Sequence, residues 1–214
     1  MQYFIFLTAL FLCTNLLSED SKETSQTPTL FAIVDLETTG LNPNYNEIID
    51  IGLILIDEDM NEIGRFNSKI LPLHPERINP EARKINGFDL ILWKKENALT
   101  SEEATKKLID FLSNFKRKPY FIAFNSWFDS AFLSNLFRTY DYRFDNWFDY
   151  KVFDIPSMAL ACGYFPEGEN FNDDLAKLLN VTPETKNPLV HTGESGVNYN
   201  YAILKSLQKK KCFF

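Results

Sequence analysis

A run of apolar residues that ends in two acids stands out in the pattern of the chain. Residues 30–34 are Leu-Phe-Ala-Ile-Val, Asp35 and Glu37 follow with Leu36 between them, and residues 38–40, Thr-Thr-Gly, break the run. A short apolar run that ends in turn residues is typical of a buried strand. Side chains alternate along a strand, so Asp35 and Glu37 should point to the same face. The pattern therefore predicts a central strand that carries two carboxylates at its exit.

The remaining pattern predicts four further strands and six helices around this strand. Two further β-rich runs, residues 47–57 and 62–70, follow at hairpin spacing and predict an antiparallel meander of the first three strands. Later strands are predicted at residues 119–124 and 151–154, and helices near residues 80–85, 100–112, 129–140, 157–162, 173–180 and from shortly after residue 191 to about residue 209. Thr100 and Glu103 form a capping-box signal for the second of these helices. This order predicts an α/β fold with a mixed sheet, the meander plus parallel strands, flanked by helices.

The N-terminal residues follow a different pattern. Residues 3–17 are almost wholly apolar and residues 18–29 are polar, a length that fits a signal-peptide core better than a membrane span. However, no Lys or Arg precedes the apolar stretch. If residues 1–17 act as a signal the protein is exported or associates with a membrane through residues 3–17, and otherwise it is cytoplasmic with an N-terminal extension. We expect residues 1–28 to be a leader with a polar linker and residues 29–214 to form the folded domain.

Composition narrows the possible functions. The chain has 214 residues, of which 45% are hydrophobic, and this suits one domain with a large core. A formal net charge of −7 argues against a protein that coats nucleic acids through a broad basic surface. It leaves room for an enzyme that meets phosphates through bound metal ions. The three cysteines have no paired spacing, so neither a zinc site nor a disulfide framework is indicated.

Four polar residues stand where a metal site could assemble. Asp35 and Glu37 end the first strand, Asp129 lies at the start of a predicted helix, and His191 precedes the last helix. Neighbouring ionised carboxylates repel each other and are commonly neutralised by a divalent cation with oxygen ligands. The spacing alone fits equally well a polar strand end whose acids face water. Likewise, His191 alone could be a surface residue at a helix start.

Three segments of the chain resemble the motifs of a known enzyme superfamily. Residues 34–41, Val-Asp-Leu-Glu-Thr-Thr-Gly-Leu, resemble the first motif of the DnaQ-like 3′-to-5′ exonucleases, the DEDD superfamily. Residues 123–129, Ala-Phe-Asn-Ser-Trp-Phe-Asp, resemble the second motif, and residues 191–197 occupy the place of the third motif in the histidine (DEDDh) subtype. The resemblance implies a ribonuclease-H-like fold. It also implies a metal-dependent exonuclease that hydrolyses phosphodiester bonds at the 3′ ends of single-stranded DNA or RNA.

The resemblance also implies roles for individual residues. Two Mg²⁺ or Mn²⁺ ions, about 3.5–4 Å apart in sites of this type, would be held by Asp35, Glu37 and Asp129. His191 would act as the general base, because a neutral imidazole can take a proton from the attacking water. The substrate-binding residues implied by the motifs are Thr38, Thr39, Leu41 and Asn125. Trp127 and Phe128 could stack on bases or, like most aromatic residues of the chain, fill the core.

One position departs from the family's pattern. The histidine subtype places an Asp five residues after its His, and Gly196 occupies that position here. Losing a direct metal ligand should cost at least the roughly 10–100-fold that is typical of lost supporting partners. Asn200, one helical turn further on, could face the same side, whereas Glu194 could contribute only if the segment is not yet helical. The resemblance therefore implies an exonuclease of reduced activity, or alternatively a degenerate exonuclease fold that binds nucleic-acid ends or a protein without cutting.

Overall fold

The fold is built on a six-stranded mixed sheet. The structure is a computed structural model that describes residues 28–210. The strands are β1 Phe31–Thr38, β2 Ile48–Ile56, β3 Glu62–Leu71, β4 Leu99–Thr100, β5 Tyr120–Ala123 and β6 Val152–Asp154. They lie in the order β4-β3-β2-β1-β5-β6. Strand β1 is therefore flanked on both sides, as the continuous apolar run predicted.

The pairing of the strands confirms the predicted meander. Strands β1 and β2 pair antiparallel, as do β2 and β3, whereas β5 pairs parallel to β1 and β6 parallel to β5. Every residue of β2 is buried, which agrees with its nearly uninterrupted apolar sequence. The short strand β4, parallel to β3, was not predicted. The α/β fold with a mixed sheet is thus confirmed.

Helices cover both faces of the sheet. They are α1 Pro80–Asn86, α2 Leu90–Lys95, α3 Ser101–Ser113, α4 Ser126–Thr139, α5 Phe144–Trp147, α6 Ile155–Ala161, α7 Phe171–Leu179 and α8 Gly193–Lys209. The capping box predicted at Thr100 is present at the start of α3. Helix α4 begins three residues earlier than predicted, and α2 and α5 were missed because runs of six and four residues are too short to show a helical period.

The alternation of side chains along β1 divides the core into two clusters. Ala32, Val34 and Leu36 pack with α3 and α4 on one face, while Phe31 and Ile33 pack with α6, α7 and α8 on the other. Asp35 and Glu37 continue the second set of positions, so the strand directs them toward the side covered by α8. The exit of β1 therefore presents its two acids where helices from both layers meet.

The predicted leader lies largely outside the part of the chain that the structure describes. Its apolar stretch, residues 3–17, and most of the linker precede residue 28. Between residues 28 and 210, no helix combines the length and the apolar character needed to cross a membrane.

Candidate active site

Strand β1 delivers Asp35 and Glu37 into a cleft at its carboxyl end. Glu37 is buried and Asp35 is partly buried. Across the sheet Glu37 lies opposite Asp50 of β2, and the register of the β1–β2 pair becomes irregular immediately after Glu37. The regular ladder therefore ends at the second acid, which opens the edge of the sheet to the cleft.

Helix α4 supplies the third acid of the cleft. Asn125 adopts a left-handed conformation with φ 64°, and this sharp turn leads from β5 directly into α4. Asp129, in the first turn of the helix, is buried and its Oδ1 accepts a hydrogen bond of 3.2 Å from the Leu36 backbone N–H. The helix thus holds Asp129 against the β1 backbone, between the two acids of the strand.

The segment between α7 and α8 brings His191 to Glu37. The Nδ1–H of His191 donates to the carbonyl oxygen of Thr185 at 2.8 Å, which turns Nε2 toward Glu37 Oε1 at 3.1 Å. The hydrogen bond to Glu37 is the main reason that the pKa of His191 is raised to about 9. The sequence-predicted general base is therefore in the cleft, and its second nitrogen faces a carboxylate.

The same segment adds an acid that the sequence analysis missed. Glu184 lines the cleft with Asp35, Glu37, Asp129 and His191. Its Oε1 lies 3.7 Å from His191 Nδ1. No motif marks Glu184, and its only signal is an acid shortly before the third motif in a chain that lacks the expected acid at position 196. A search for a substitute acid near that motif could have found it.

Helix α8 lies with its first turns directly against the two central strands. It begins with a capping box between Thr192 and Ser195. A Cβ placed on Gly193 would meet the Gly52 backbone nitrogen at 2.4 Å, and one placed on Gly196 would meet Asp35 Oδ2 at 2.1 Å. Glycine is thus required at position 193, where the contact is with backbone, whereas a side chain at position 196 would have to displace the Asp35 carboxylate.

The two neighbours considered as replacements for the missing acid differ in position. Asn200 is buried and its Nδ2 donates to Asp35 Oδ1 at 3.4 Å, on the side predicted by helical spacing. Glu194 already belongs to α8, is exposed, and lies 3.7 Å from Arg65 Nη1. Glu194 therefore takes no part in the cleft.

Burial and mutual repulsion dominate the electrostatics of the cleft. Burial raises the pKa of Asp35 well above its ordinary value, and the charges of Glu184, Glu37, Asp129 and Asp50 raise it further, in that order. Burial also raises the pKa of Asp129, although backbone hydrogen bonds oppose the change, and it raises the pKa of Asp50 to about 7. Carboxylates that are costly to ionise in this way suit the binding of a divalent cation, which favours their charged form.

The donor set fits hard divalent cations, although its atoms are not gathered around one point. Four carboxylates line one cleft, and oxygen ligands are those preferred by Mg²⁺ and Mn²⁺. Among the side chains of residues 28–210, no group of three or more His, Cys, Asp and Glu is arranged ready to hold a metal ion. Glu37 instead contacts His191, and Asp129 contacts a backbone amide. Rotation of these side chains is therefore needed for an ion to bind.

Most of the predicted substrate-binding residues line two adjoining cavities. The acidic cleft has a volume of about 420 Å³ and is also lined by Leu41, Asn125 and Trp127. A neighbouring cavity of about 350 Å³ is lined by Thr38, Leu41 and residues of α1. Leu41 is 80% exposed and Trp127 69% exposed, so both are open to a ligand. Thr39 differs, because it is fully buried and its hydroxyl accepts a hydrogen bond from the Glu47 backbone.

The mixed sheet with helices on both faces, and with β1 at its centre, is a ribonuclease-H-like fold. The family model of the RNase T exonucleases, described as "Exonuclease", matches residues 32–203. The chain belongs to this exonuclease family, which is part of the DnaQ-like DEDD superfamily and uses divalent metal ions.

Three bacterial proteins are among those similar in sequence to this chain. An oligoribonuclease of Francisella tularensis subsp. novicida is 27% identical over 146 residues, which is 64% of this chain and 79% of that protein. Ribonuclease T of Buchnera aphidicola is 26% identical over 61% of this chain and 64% of that protein. A PolC-type DNA polymerase III of Thermotoga petrophila is 32% identical over 48% of this chain, but over only 7% of its own length.

Solved structures support the fold. Exonuclease I of E. coli in complex with a dT13 oligonucleotide has a TM-score of 0.71 at 18% identity, covering 86% of this chain and 42% of that one. A 3′-exonuclease that recognises a histone mRNA stem-loop has a TM-score of 0.65 at 18% identity, covering 85% and 64% respectively. This chain thus spans less than half of exonuclease I.

Proposed function

We propose that this chain is a metal-dependent 3′-to-5′ exonuclease that hydrolyses phosphodiester bonds at the 3′ ends of single-stranded DNA or RNA. One observation carries the proposal: Asp35, Glu37, Asp129 and His191 come from three separate motifs and line a single open cleft. Membership of an exonuclease family and similarity to oligoribonuclease and ribonuclease T support it.

The acids of the cleft and His191 have different roles in hydrolysis. Asp35, Glu37 and Asp129 would hold two ions, Mg²⁺ or Mn²⁺, which supply Lewis-acid stabilisation of the charge that develops on phosphate oxygens. His191 takes the proton of the attacking water through Nε2, since its Nδ1–H is already donated to Thr185. For this step Nε2 must be unprotonated and free of Glu37, so loss of the 3.1 Å contact between them accompanies activation.

The substrate enters over exposed apolar side chains. Leu41 and Trp127 lie at the cleft and Thr38 lines the neighbouring cavity, so these groups contact the last nucleotides. Asn125, fixed at the turn before α4, faces the same strand end. Aromatic stacking contributes about 1–3 kcal/mol per base regardless of sequence, which suits an enzyme that shortens ends of varied sequence.

The competing function is binding of nucleic-acid ends or of a protein without cutting, and Gly196 favours this alternative. The glycine removes one acidic metal ligand, so we expect slower turnover than in an enzyme with an acid at position 196. The buried acids argue for a retained metal site. Burial raises the pKa of both Asp35 and Asp129, so their ionised forms destabilise the fold unless a bound cation compensates their charge.

A degradation assay separates the two functions. The full-length chain is incubated with 5′-labelled single-stranded RNA and DNA in Mg²⁺ or Mn²⁺. We expect a ladder of products shortened one nucleotide at a time, no shortening with a 3′-blocked oligonucleotide, and loss of the ladder in Asp35→Asn. Asp110→Asn, a change of an exposed acid on α3, is the matched control and should keep full activity. Binding of labelled ends without shortening under either metal would refute the enzyme and establish the binding module.

A further inference from the structure

The position of Gly196 conflicts with an acid at this place in the helix while Asp35 keeps its present orientation. A Cβ at this position would lie 2.1 Å from Oδ2 and 2.4 Å from Cγ of Asp35. The Asp35 carboxylate thus occupies the space into which a side chain at position 196 would project. An acid could reach the cleft from position 196 only if Asp35 moved, and the chain has no acid there, so any further acid in the cleft is brought there by other residues.

Two nearby residues of α8 do not supply the substitute. Glu194 is exposed and lies beside Arg65. Asn200 faces Asp35, but its amide nitrogen is the atom that approaches the carboxylate. Helix α8 therefore brings no carboxylate to the cleft, although it is the element that carries the third motif.

Glu184 reaches the cleft from the segment that precedes α8. One of its oxygens, Oε1, is inaccessible to solvent and accepts no hydrogen bond from residues 28–210. A buried carboxylate oxygen without a donor is strongly unfavourable unless a cation or a proton compensates it. Glu184 also lines the same cleft as Asp35, Glu37 and Asp129.

A role restricted to orienting His191 does not account for Glu184. The Nδ1–H of His191 is already donated to the Thr185 carbonyl at 2.8 Å. At 3.7 Å from the same nitrogen, Glu184 Oε1 is beyond hydrogen-bond distance. The imidazole is thus oriented by the backbone. Glu184 forms an ion pair with it only when His191 is protonated, and it lines the cleft without a hydrogen bond to the ring.

We propose that Glu184 supplies the fourth carboxylate of the metal site, in place of the acid that is absent at position 196. The inference rests on the proposed function, because it presumes that Asp35 and Glu37 bind a divalent cation. It makes the segment between α7 and α8 the source of both His191 and a metal ligand. In this arrangement Glu184, on the non-helical segment before α8, binds the metal in place of an acid at position 196 of α8.

The test measures metal affinity directly. Mn²⁺ is titrated into the full-length protein and the free ion is followed by electron paramagnetic resonance, without substrate. We expect Glu184→Gln, which keeps the size of the side chain, to weaken Mn²⁺ binding by about 10–100-fold. Glu194→Gln is the matched control and should bind as the wild type does. Unfolding curves in EDTA test whether each variant is folded. If Glu184→Gln does not fold, Glu184→Asp is used instead, and its shorter side chain should weaken Mn²⁺ binding in the same titration.

The controls separate failure of this inference from failure of the proposed function. Loss of binding in Asp35→Asn together with wild-type affinity in Glu184→Gln would overturn the role of Glu184 alone. A change in the pH dependence of activity of Glu184→Gln at unchanged Mn²⁺ affinity would also overturn it, because Glu184 would then act through His191. Wild-type affinity in Asp35→Asn would refute the metal site itself.

Discussion

Replacing Asp50 by Asn should stabilise the protein, and the gain should grow with pH. Asp50 is 4% exposed on β2, lies opposite Glu37, and has Lys69 of β3 on its other side. Burial and then the charge of Glu37 raise its pKa from 3.8 to about 7, although Lys69 opposes the change. The carboxyl is therefore protonated more readily in the folded than in the unfolded chain.

The sign and size of the effect follow from this difference. Because the folded-state pKa is the higher one, Asp50 costs no stability below its unfolded pKa, and the cost appears as the pH rises from about 4 to about 7. Three pH units correspond to about 4 kcal/mol at about 1.4 kcal/mol per unit. At pH 5 less than half of this has appeared, so the advantage of Asn should grow by about 2–3 kcal/mol between pH 5 and pH 8.5.

Urea unfolding of the full-length chain in EDTA measures this difference. The free energy of unfolding is compared for wild type and Asp50→Asn at both pH values, with Asp110→Asn as an exposed control that should show no pH-dependent gain. The other acids titrate in both proteins, so their contribution largely cancels when the free energy of unfolding of the wild type is subtracted from that of the variant at each pH. A gain that is equal at the two pH values would refute the assignment of a buried, repelled carboxylate at position 50.

Three further predictions concern the cleft. Gly196→Ala should lower activity and Mn²⁺ affinity by more than tenfold, because its Cβ displaces the Asp35 carboxylate; wild-type behaviour would contradict the 2.1 Å approach. In EDTA, NMR should show His191 titrating near pH 9, and Glu37→Gln should move this value toward 6.5, since the hydrogen bond to Glu37 is the main cause of the raised pKa; an unmoved titration would show another cause. Thr192→Ala removes the cap of α8 and should lower the free energy of unfolding by about 1 kcal/mol in urea, and no loss would mean that the capping box contributes nothing.

Patterns that depend on neighbouring residues were predictable from the sequence. The alternation along β1 placed Asp35 and Glu37 on one face, and the structure shows both entering the same cleft. Helical spacing placed Asn200 on the side of Gly196, and its amide approaches Asp35. These predictions succeeded because each depends on the period of a single regular element.

Features set by contacts distant in sequence were not predictable. Strand β4 has only two residues and is defined by its pairing with β3. Glu184 enters the cleft because the segment before α8 folds back, with the carbonyl of Thr185 meeting His191 six residues later. Thr39 belongs to the first motif, yet its hydroxyl accepts a hydrogen bond from Glu47 inside the protein. None of these contacts leaves a periodic signal in the chain.

The close approach of Gly196 to Asp35 also means that these two positions have to be considered as one unit. Any side chain at position 196 displaces the carboxylate that begins the first motif. Substitutions at the two positions should therefore be strongly non-additive, with the effect of one depending on the residue at the other. An acid introduced at position 196 by a single exchange would therefore be accompanied by a new orientation of the Asp35 carboxylate.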